Sequence, residues 1–330
     1  MRLLIAVSRT SSLEAYYTTV HIAFEALVRG HPVRVVEPWD FEIDESGRLV
    51  TRAHAVDTPP ESREALVALL AERRALRRYV EISPSDVLLL RVNPLDPAVL
   101  AFAHLAKKAG ATVHNDPATL MLTGHKGYLA TLAGVPRPAT LITRSRATAQ
   151  LFAEGQREGV VLKPARASGG RGVGLVRPGS GPRAFESAFD AARRRGDGYV
   201  VVQEYLPRAE EGEKRLVWLD GELIGGYLRT RAPGDFRHNL AQGGSPQPCS
   251  IGPEDHALLG TLSPYLLRDG VWLAGIDVID GRVVEVNTLN PGGVHFGDCM
   301  RGTDMAGVIL CRIECAQAGR TRALQEIPAP

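Results

Sequence analysis

The sequence predicts an α/β domain followed by two α+β lobes. Three observations carry that prediction. Strand-like and helix-like segments alternate over roughly the first third of the chain, strands dominate from Tyr199 onward, and a glycine-rich loop lies between two short strands in the middle. Strands separated by helices point to a parallel, doubly wound sheet.

The elements follow in order. Met1-Arg-Leu-Leu-Ile-Ala-Val7 is too short for a signal h-region and is ended by Ser8-Arg9-Thr10, so Leu3–Val7 reads as a first strand. Further strands are expected at Val33–Glu37, Asp86–Val92 and Thr112–Asn115, with helices near Leu13–Arg29, stopped by Gly30, and Pro97–Lys108. The polar, turn-rich stretch Asp44–Pro60 reads as a surface excursion. The character changes around Asn115–Pro117. Pro136 and Pro138 flank a linker into Ala139–Thr143, followed by strands at Val160–Pro164 and Gly172–Arg177 and a helix at Pro182–Arg195. Strands at Tyr199–Leu206, Arg215–Leu219 and Glu222–Arg231 follow, then a helix near Pro253–Arg268, a hairpin, and a last helix from about Thr303 to Ala318. Domains are expected at 1–117, 118–198 and 199–330.

With 44% hydrophobic and 23% charged residues, the 330-residue chain has an ordinary globular composition. A net charge of +2 gives no reason to expect nucleic acid or an anionic membrane as partner, and no apolar run approaches a membrane span. Arg73, Arg74, Arg77 and Arg78, like Arg193–Arg195, read as solvated helix faces. Cys249, Cys299, Cys311 and Cys315 form no metal spacing, and Cys311 and Cys315, one helical turn apart, read as small buried hydrophobes. A cytoplasmic, reduced protein is expected.

The hairpin, Leu273–Ile279 and Arg282–Thr288 folded at Asp280-Gly281, carries the most chemistry. Asp277 and Glu285 sit among apolar residues, where a carboxylate is costly unless a cation compensates it. Glu285 and Asn287 leave one face of their strand, and three converging oxygen ligands suit Mg²⁺. Two readings stand at this point: a metal site, or two edge acids facing water. The metal reading requires Asp277 and Glu285 to share a face. A three-residue loop with Gly281 left-handed in a bulge, pairing Val278 with Arg282, would achieve it; a plain two-residue turn would pair Asp277 with Val284.

The other candidates are individually weak. Ser168-Gly169-Gly170-Arg-Gly-Val-Gly174 lies between two strands, so it is neither a Rossmann nor a Walker loop; it is a tight turn or a cover for phosphates. Lys163 ends an apolar strand and needs an anion to meet; Lys126 has little specificity alone. Gln203-Glu204-Tyr205-Leu206 ends a strand whose backbone suits an adenine edge, and Glu213 suits a ribose hydroxyl or solvent. Arg215, Arg229 and Arg237, with Asn239, fall near the hairpin lobe, and guanidinium forks suit phosphate and carboxylate. No Ser-His-Asp spacing, nucleophile elbow or zinc signature is present.

In this order the residues resemble the ATP-grasp superfamily, and within it the prokaryotic glutathione synthetases. The resemblance is carried by Asn115-Asp-Pro, His125-Lys126, Leu162-Lys163-Pro164, Ser168-Gly169-Gly170, Gln203-Glu-Tyr-Leu-Pro207, Gly212-Glu-Lys-Arg215, Arg237 to Gly244, and Gly275-Ile-Asp277 with Glu285-Val-Asn287. It implies an ATP-grasp fold behind an N-terminal Rossmann-like pre-ATP-grasp domain. Lys126, Lys163, Ser168, Gly169, Gly170, Gln203, Glu204, Tyr205, Leu206 and Glu213 would bind ATP. Arg215, Arg229 and Asn287 would serve the triphosphate, and Asp277, Glu285 and Asn287 would hold Mg²⁺. Arg91, Arg237, Asn239, Pro291, Gly292 and Gly293 would meet the substrates. The implied reaction is attack of a carboxylate on the γ-phosphate, then displacement of phosphate by an amine. Amino acid or dipeptide substrates and a homo-oligomer, dimer or tetramer, are the partners implied.

The chain departs from that family on its substrate side. After the metal Asn the family carries Ser-Pro-Thr and an Arg-Glu pair, whereas this chain reads Thr288-Leu-Asn290-Pro291-Gly292-Gly293-Val-His295-Phe296. Ser8-Arg9-Thr10 replaces a Met-Asp-Pro, and Val92-Asn93 replaces a Lys-Asp between Arg91 and Pro94. Three functions follow: glutathione formation, a ligase with another amino-acid or peptide pair, or a nucleotide-binding regulator without catalysis.

Overall fold

The computed structural model describes residues 1–72 and 75–325, which divide into two compact units. The first comprises Met1–Leu120, Gly270–Leu273 and the chain from Leu289; the second comprises Met121–Asp269 and Ala274–Thr288.

In the first unit the order is β1 (Arg2–Val7), α1 (Thr18–Val28), β2 (Val33–Val36), β3 (Phe41–Ile43), β4 (Leu49–Val56), α2 (Arg63–Ala71), β5 (Leu76–Glu81), β6 (Asp86–Arg91), α3 (Pro97–Lys108) and β7 (Thr112–His114). The expected parallel sheet is present as β2-β1-β6-β7, with Leu3 opposite Val33 and Val87. All six residues of β6 are buried, as befits a strand covered on both faces. Asp96 caps α3 by accepting from the N–H groups of Ala98 and Val99, and Pro97 sits at the first helical position.

Several expectations for this unit are corrected. Asp44–Pro60 is no excursion: seven of the eight residues of β4 are buried, and β4 extends the sheet by antiparallel pairing with β2, β3 and β5. Its polar residues misled because Thr51 and His54 are themselves buried. The first helix begins at Thr18, after a 3-10 turn at Thr10–Ser12. Arg77 and Arg78 lie on strand β5, where Arg77 pairs with Asp40; Arg73 and Arg74 fall outside the described residues.

The second unit continues with α4 (Leu120–Thr123), α5 (Gly127–Ala130), β8 (Thr140–Thr143), α6 (Arg146–Glu154), β9 (Val160–Pro164), β10 (Gly174–Val176), α7 (Pro182–Arg193) and β11 (Val200–Glu204). Its first sheet, β10-β9-β11-β8, is antiparallel and packs Leu162, Val200 and Val202 against Phe185 and Phe189 of α7. Next come β12 (Glu213–Leu219), β13 (Glu222–Thr230), β14 (Ser245–Gln247), α8 (Pro253–Arg268), β15 (Leu273–Ile279) and β16 (Arg282–Asn287). They form a second sheet ordered β14-β13-β12-β15-β16, beside which Trp218 Nε1 donates to Ser263 of α8 at 2.8 Å.

The chain then returns to the first unit as α9 (Val294–Arg301) and α10 (Met305–Gln325). The expected lobe 199–330 is therefore divided near Thr288. Cys311 and Cys315 are exposed, not buried, because α10 turns Met305, Ala306, Ile309, Leu310 and Ile313 inward instead.

Candidate active site

The β15–β16 hairpin is closed by a two-residue turn, with Asp280 and Gly281 both left-handed (φ 50° and 65°) and Ile279 paired with Arg282. The three-residue loop expected from the sequence is absent. Asp277 nevertheless faces Glu285 directly, because the register shifts by one between Val278–Val283 and Asp277–Glu285. Val284 is the extra residue, accommodated as a bulge inside the strand. The consecutive buried pair Val283-Val284, breaking the alternation of β16, is the sequence signal for it. Asn287 Nδ2 donates to Asp277 Oδ2 at 3.1 Å, so Asp277, Glu285 and Asn287 share one face. This set offers only oxygen ligands to a cation, which fits Mg²⁺.

Asp277 is buried and doubly compensated. Arg215 Nε lies 2.5 Å and Arg229 Nη2 2.8 Å from its Oδ1. Burial alone would raise this carboxyl, but the two guanidiniums outweigh it and hold it well below the usual carboxylate range. Glu213, a candidate for a ribose hydroxyl, is ion-paired to Arg229. Burial pushes its carboxyl up against the pull of Arg229, and Asp277 adds to the rise. The geometry follows from register: Glu213 pairs with Arg229 and Arg215 with Tyr227 across β12 and β13, beside β15.

Lys126, at the start of α5, lies 3.1 Å from Glu285 Oε1 and donates to the Ala167 carbonyl at 2.6 Å. Lys163 on β9 donates to Gln203 Oε1 at 2.7 Å, and burial pushes its amine down, opposed by Glu285 and Glu213. Lys126, Lys163, Gln203, Thr140 and Glu285 line one cleft with Tyr128, Leu129 and Val284. Glu204 and Tyr205 use their backbone N–H groups on Ala139 and Gly159, and Tyr205 and Leu206 are buried against Ile279 and Val284. Thr140, which accepts from Gln203 Nε2 at 3.2 Å, carries no signal in the sequence.

The glycine loop between β9 and β10 is tied to the segment after β13. Arg237 Nη1 donates to the Gly170 carbonyl at 3.2 Å and Gln242 Nε2 to that of Gly169 at 2.9 Å. Gly170 has φ 71°, and a β-carbon there would stand 2.6 Å from Asn239 Oδ1. A β-carbon there would strain the left-handed backbone and require the Asn239 amide to shift. Arg237 also pairs with Asp235 at 2.7 Å, and Ser168 opens the same loop. Arg237 and Gln242 thus tie the loop, and Asn239 stands against Gly170.

Arg91, Pro291, Gly292 and Gly293 belong to the other unit. Arg91 is buried; it donates to Thr19 Oγ1 at 3.1 Å and to the Pro291 carbonyl at 2.8 Å. Burial lowers its guanidinium to about 9. Gly293 (φ 139°) precedes α9, whose first N–H, on Val294, donates to Thr18 Oγ1. Elsewhere among the described residues, Glu37, Asp40 and His54 bring ligand-type atoms together, but Arg77 already supplies that cluster with a cation.

Two family models match the chain. Residues 1–121 match the N-terminal domain of prokaryotic glutathione synthetase, and residues 128–298 match the ATP-grasp domain of prokaryotic glutathione synthetase. The glutathione synthetase of Prochlorococcus marinus (strain MIT 9313) is 35% identical over 67% of this chain and 71% of its own. That of Xanthomonas campestris pv. campestris is 31% identical over 91% and 93%. Among solved structures, D-cycloserine synthetase DcsG superposes with a TM-score of 0.60 at 16% identity, over 90% of this chain and 94% of its own. VanG D-Ala:D-Ser ligase from Enterococcus faecalis gives 0.60 at 18%, over 93% and 94%, and both show the fold. The chain belongs to the prokaryotic glutathione synthetase family of the ATP-grasp fold and is an ATP-dependent ligase of that type, working with ATP and Mg²⁺.

Proposed function

We propose that the enzyme joins γ-glutamylcysteine to glycine through an acyl phosphate, with the second unit holding the nucleotide. The observation that carries the nucleotide site is the charge balance. Lys126, Lys163, Arg215 and Arg229 supply four cations against the three carboxylates of Glu213, Asp277 and Glu285, a surplus of 4 − 3 = 1. A triphosphate entering there meets net positive charge in a half-dry cleft.

Asp277, Glu285 and Asn287 would hold Mg²⁺, which supplies charge neutralisation on the transferring phosphoryl group. Arg215 and Arg229 are already placed beside Asp277, so phosphate oxygens can take over guanidinium hydrogen bonds that the carboxylate now receives. Lys126 and Lys163 would hold the phosphates, and the Ser168–Gly170 loop, fixed by Arg237 and Gln242, would cover them. Gln203 to Leu206 would lie beside the nucleoside. No covalent enzyme intermediate is required.

A second reading has its own support. The Arg-Glu pair of the family is missing after Asn287, and Arg91 spends its buried guanidinium on the Pro291 carbonyl. The first observation favours a changed acceptor and the second a changed donor, another amino acid or a dipeptide in either place. A cytoplasmic homo-oligomer acting on small molecules completes the proposal; among the described residues no helix is long and apolar enough to cross a membrane.

The test is an ADP-release screen of the purified protein against γ-glutamylcysteine plus glycine, then against other amino-acid and dipeptide pairs. Turnover with the first pair equal to the best pair supports glutathione formation. Turnover only with another pair moves the assignment to the second reading, and none with any pair overturns both.

A further inference from the structure

Gln203 opens the segment expected to frame adenine, but its side chain is committed to a lysine. On β11 it pairs with Val161 of β9 and, on the other side, with Thr140 of β8. Lys163 is two residues beyond Val161, so it is a diagonal neighbour of Gln203 on the same sheet face. Gln203 Oε1 accepts from Lys163 Nζ at 2.7 Å, while Nε2 donates to Thr140 Oγ1 at 3.2 Å and to the Val284 carbonyl at 3.5 Å. Two acceptors at one end of the amide thus turn its carbonyl end toward the lysine.

The two cleft lysines are held differently. Lys126 forms an ion pair with Glu285, whereas Lys163 has no carboxylate within ion-pair distance among the described residues. A neutral amide can fix an ammonium in place without cancelling its charge. A carboxylate in the same position would satisfy Lys163 and leave it less to offer an anion.

We propose that Gln203 is a positioning residue for Lys163. It presents to the nucleotide phosphates an ammonium with no carboxylate at ion-pair distance among the described residues, and its side chain takes no part in reading the base. The proposal rests on the assignment of Lys163 to the phosphates.

The experiment is calorimetric titration of the full-length protein with MgADP and, separately, with adenosine. Gln203→Ala should weaken MgADP by about tenfold or more, the loss of one charge-assisted hydrogen bond, and leave adenosine unchanged within about twofold. Gln203→Glu, which keeps the reach but neutralises the lysine, should weaken MgADP as well. Thr140→Val, which removes one of the groups that turn the amide, should give a smaller loss in the same direction and serves if the Gln203 variants do not fold. Parallel loss of adenosine and MgADP would mean that Gln203 reads the base, and unchanged MgADP affinity would mean that it does not position Lys163; either overturns the proposal. Lys163→Met separates the underlying assignment: unchanged MgADP affinity in that variant removes Lys163 from the phosphates.

Discussion

Asp277 and Glu285 stand directly opposite each other in β15 and β16, yet their surroundings differ sharply. Asp277 is buried between two guanidiniums, while Glu285 is about a quarter exposed and meets only one lysine within ion-pair distance among the described residues. The pairing is made by the bulge at Val284; a two-residue turn continued without it would set Asp277 against Val284.

The two acids should therefore fail differently. Asp277→Ala leaves Arg215 and Arg229 short of a shared buried partner, and removing one side of such a network costs about 3–5 kcal/mol. We expect loss of ADP release together with a clearly lowered Tm. Glu285→Gln should abolish ADP release with Tm nearly unchanged. Thermal melts of both variants, read beside turnover, check the contrast; an unshifted Tm for Asp277→Ala would contradict the buried network.

Metal and nucleotide should bind as a coupled pair. Asp277 is engaged by Arg215 and Arg229, so a cation alone must compete with them, whereas phosphates offer those arginines a new partner. Mg²⁺ should bind at least about tenfold more tightly in the presence of ADP, and ADP should show the same factor on adding Mg²⁺. Calorimetry in both orders measures it, and chelation of Mg²⁺ should stop ADP release.

Gly170→Ala should impair nucleotide handling rather than folding. Its φ of 71° strains any residue with a β-carbon, and the 2.6 Å approach to Asn239 Oδ1 requires that side chain or the loop to shift. A strain of about 1–2 kcal/mol at a left-handed position predicts roughly a tenfold rise in KM for ATP. Tm should change little, because the loop carries few buried apolar groups.

Acid should destabilise the first unit through its histidines. Burial, helped by the positive Arg63 and His295, pushes His21 down to about 4, and burial pushes His114 to about 4. Unfolding restores the ordinary value of 6.5, so the unfolded chain binds more protons between these limits. The stability these histidines allow is intact above pH 6.5 and declines as pH falls toward 4. Melting temperatures between pH 7 and 4.5 should drop less steeply for His114→Phe than for the parent chain, since the carboxylates titrate alike in both.

Much of the fold was legible. The helix Pro253–Arg268 and the strand Leu273–Ile279 fall where the sequence predicts, because Pro at a helix start and a bounded apolar run are local signals. β4 was not legible, since its burial comes from neighbours on both sides that the segment itself does not encode. The candidate ATP-grasp residues were named in order from the family resemblance. Their partners within the chain were not: Glu213 pairs with Arg229, and Arg91 donates to the Pro291 carbonyl.

The sequence by itself determined the α/β and α+β architecture and the acid-bearing hairpin, which rest on local periodicity, and its ordered motifs carried the resemblance to the family. Only the tertiary structure decided which charges neutralise which. Arg215 and Asp277 are 62 positions apart, Gln203 and Lys163 are 40, and Arg91 and Pro291 are 200. Pairings over such separations are set by sheet order and register, where a single extra residue such as Val284 decides which side chains meet.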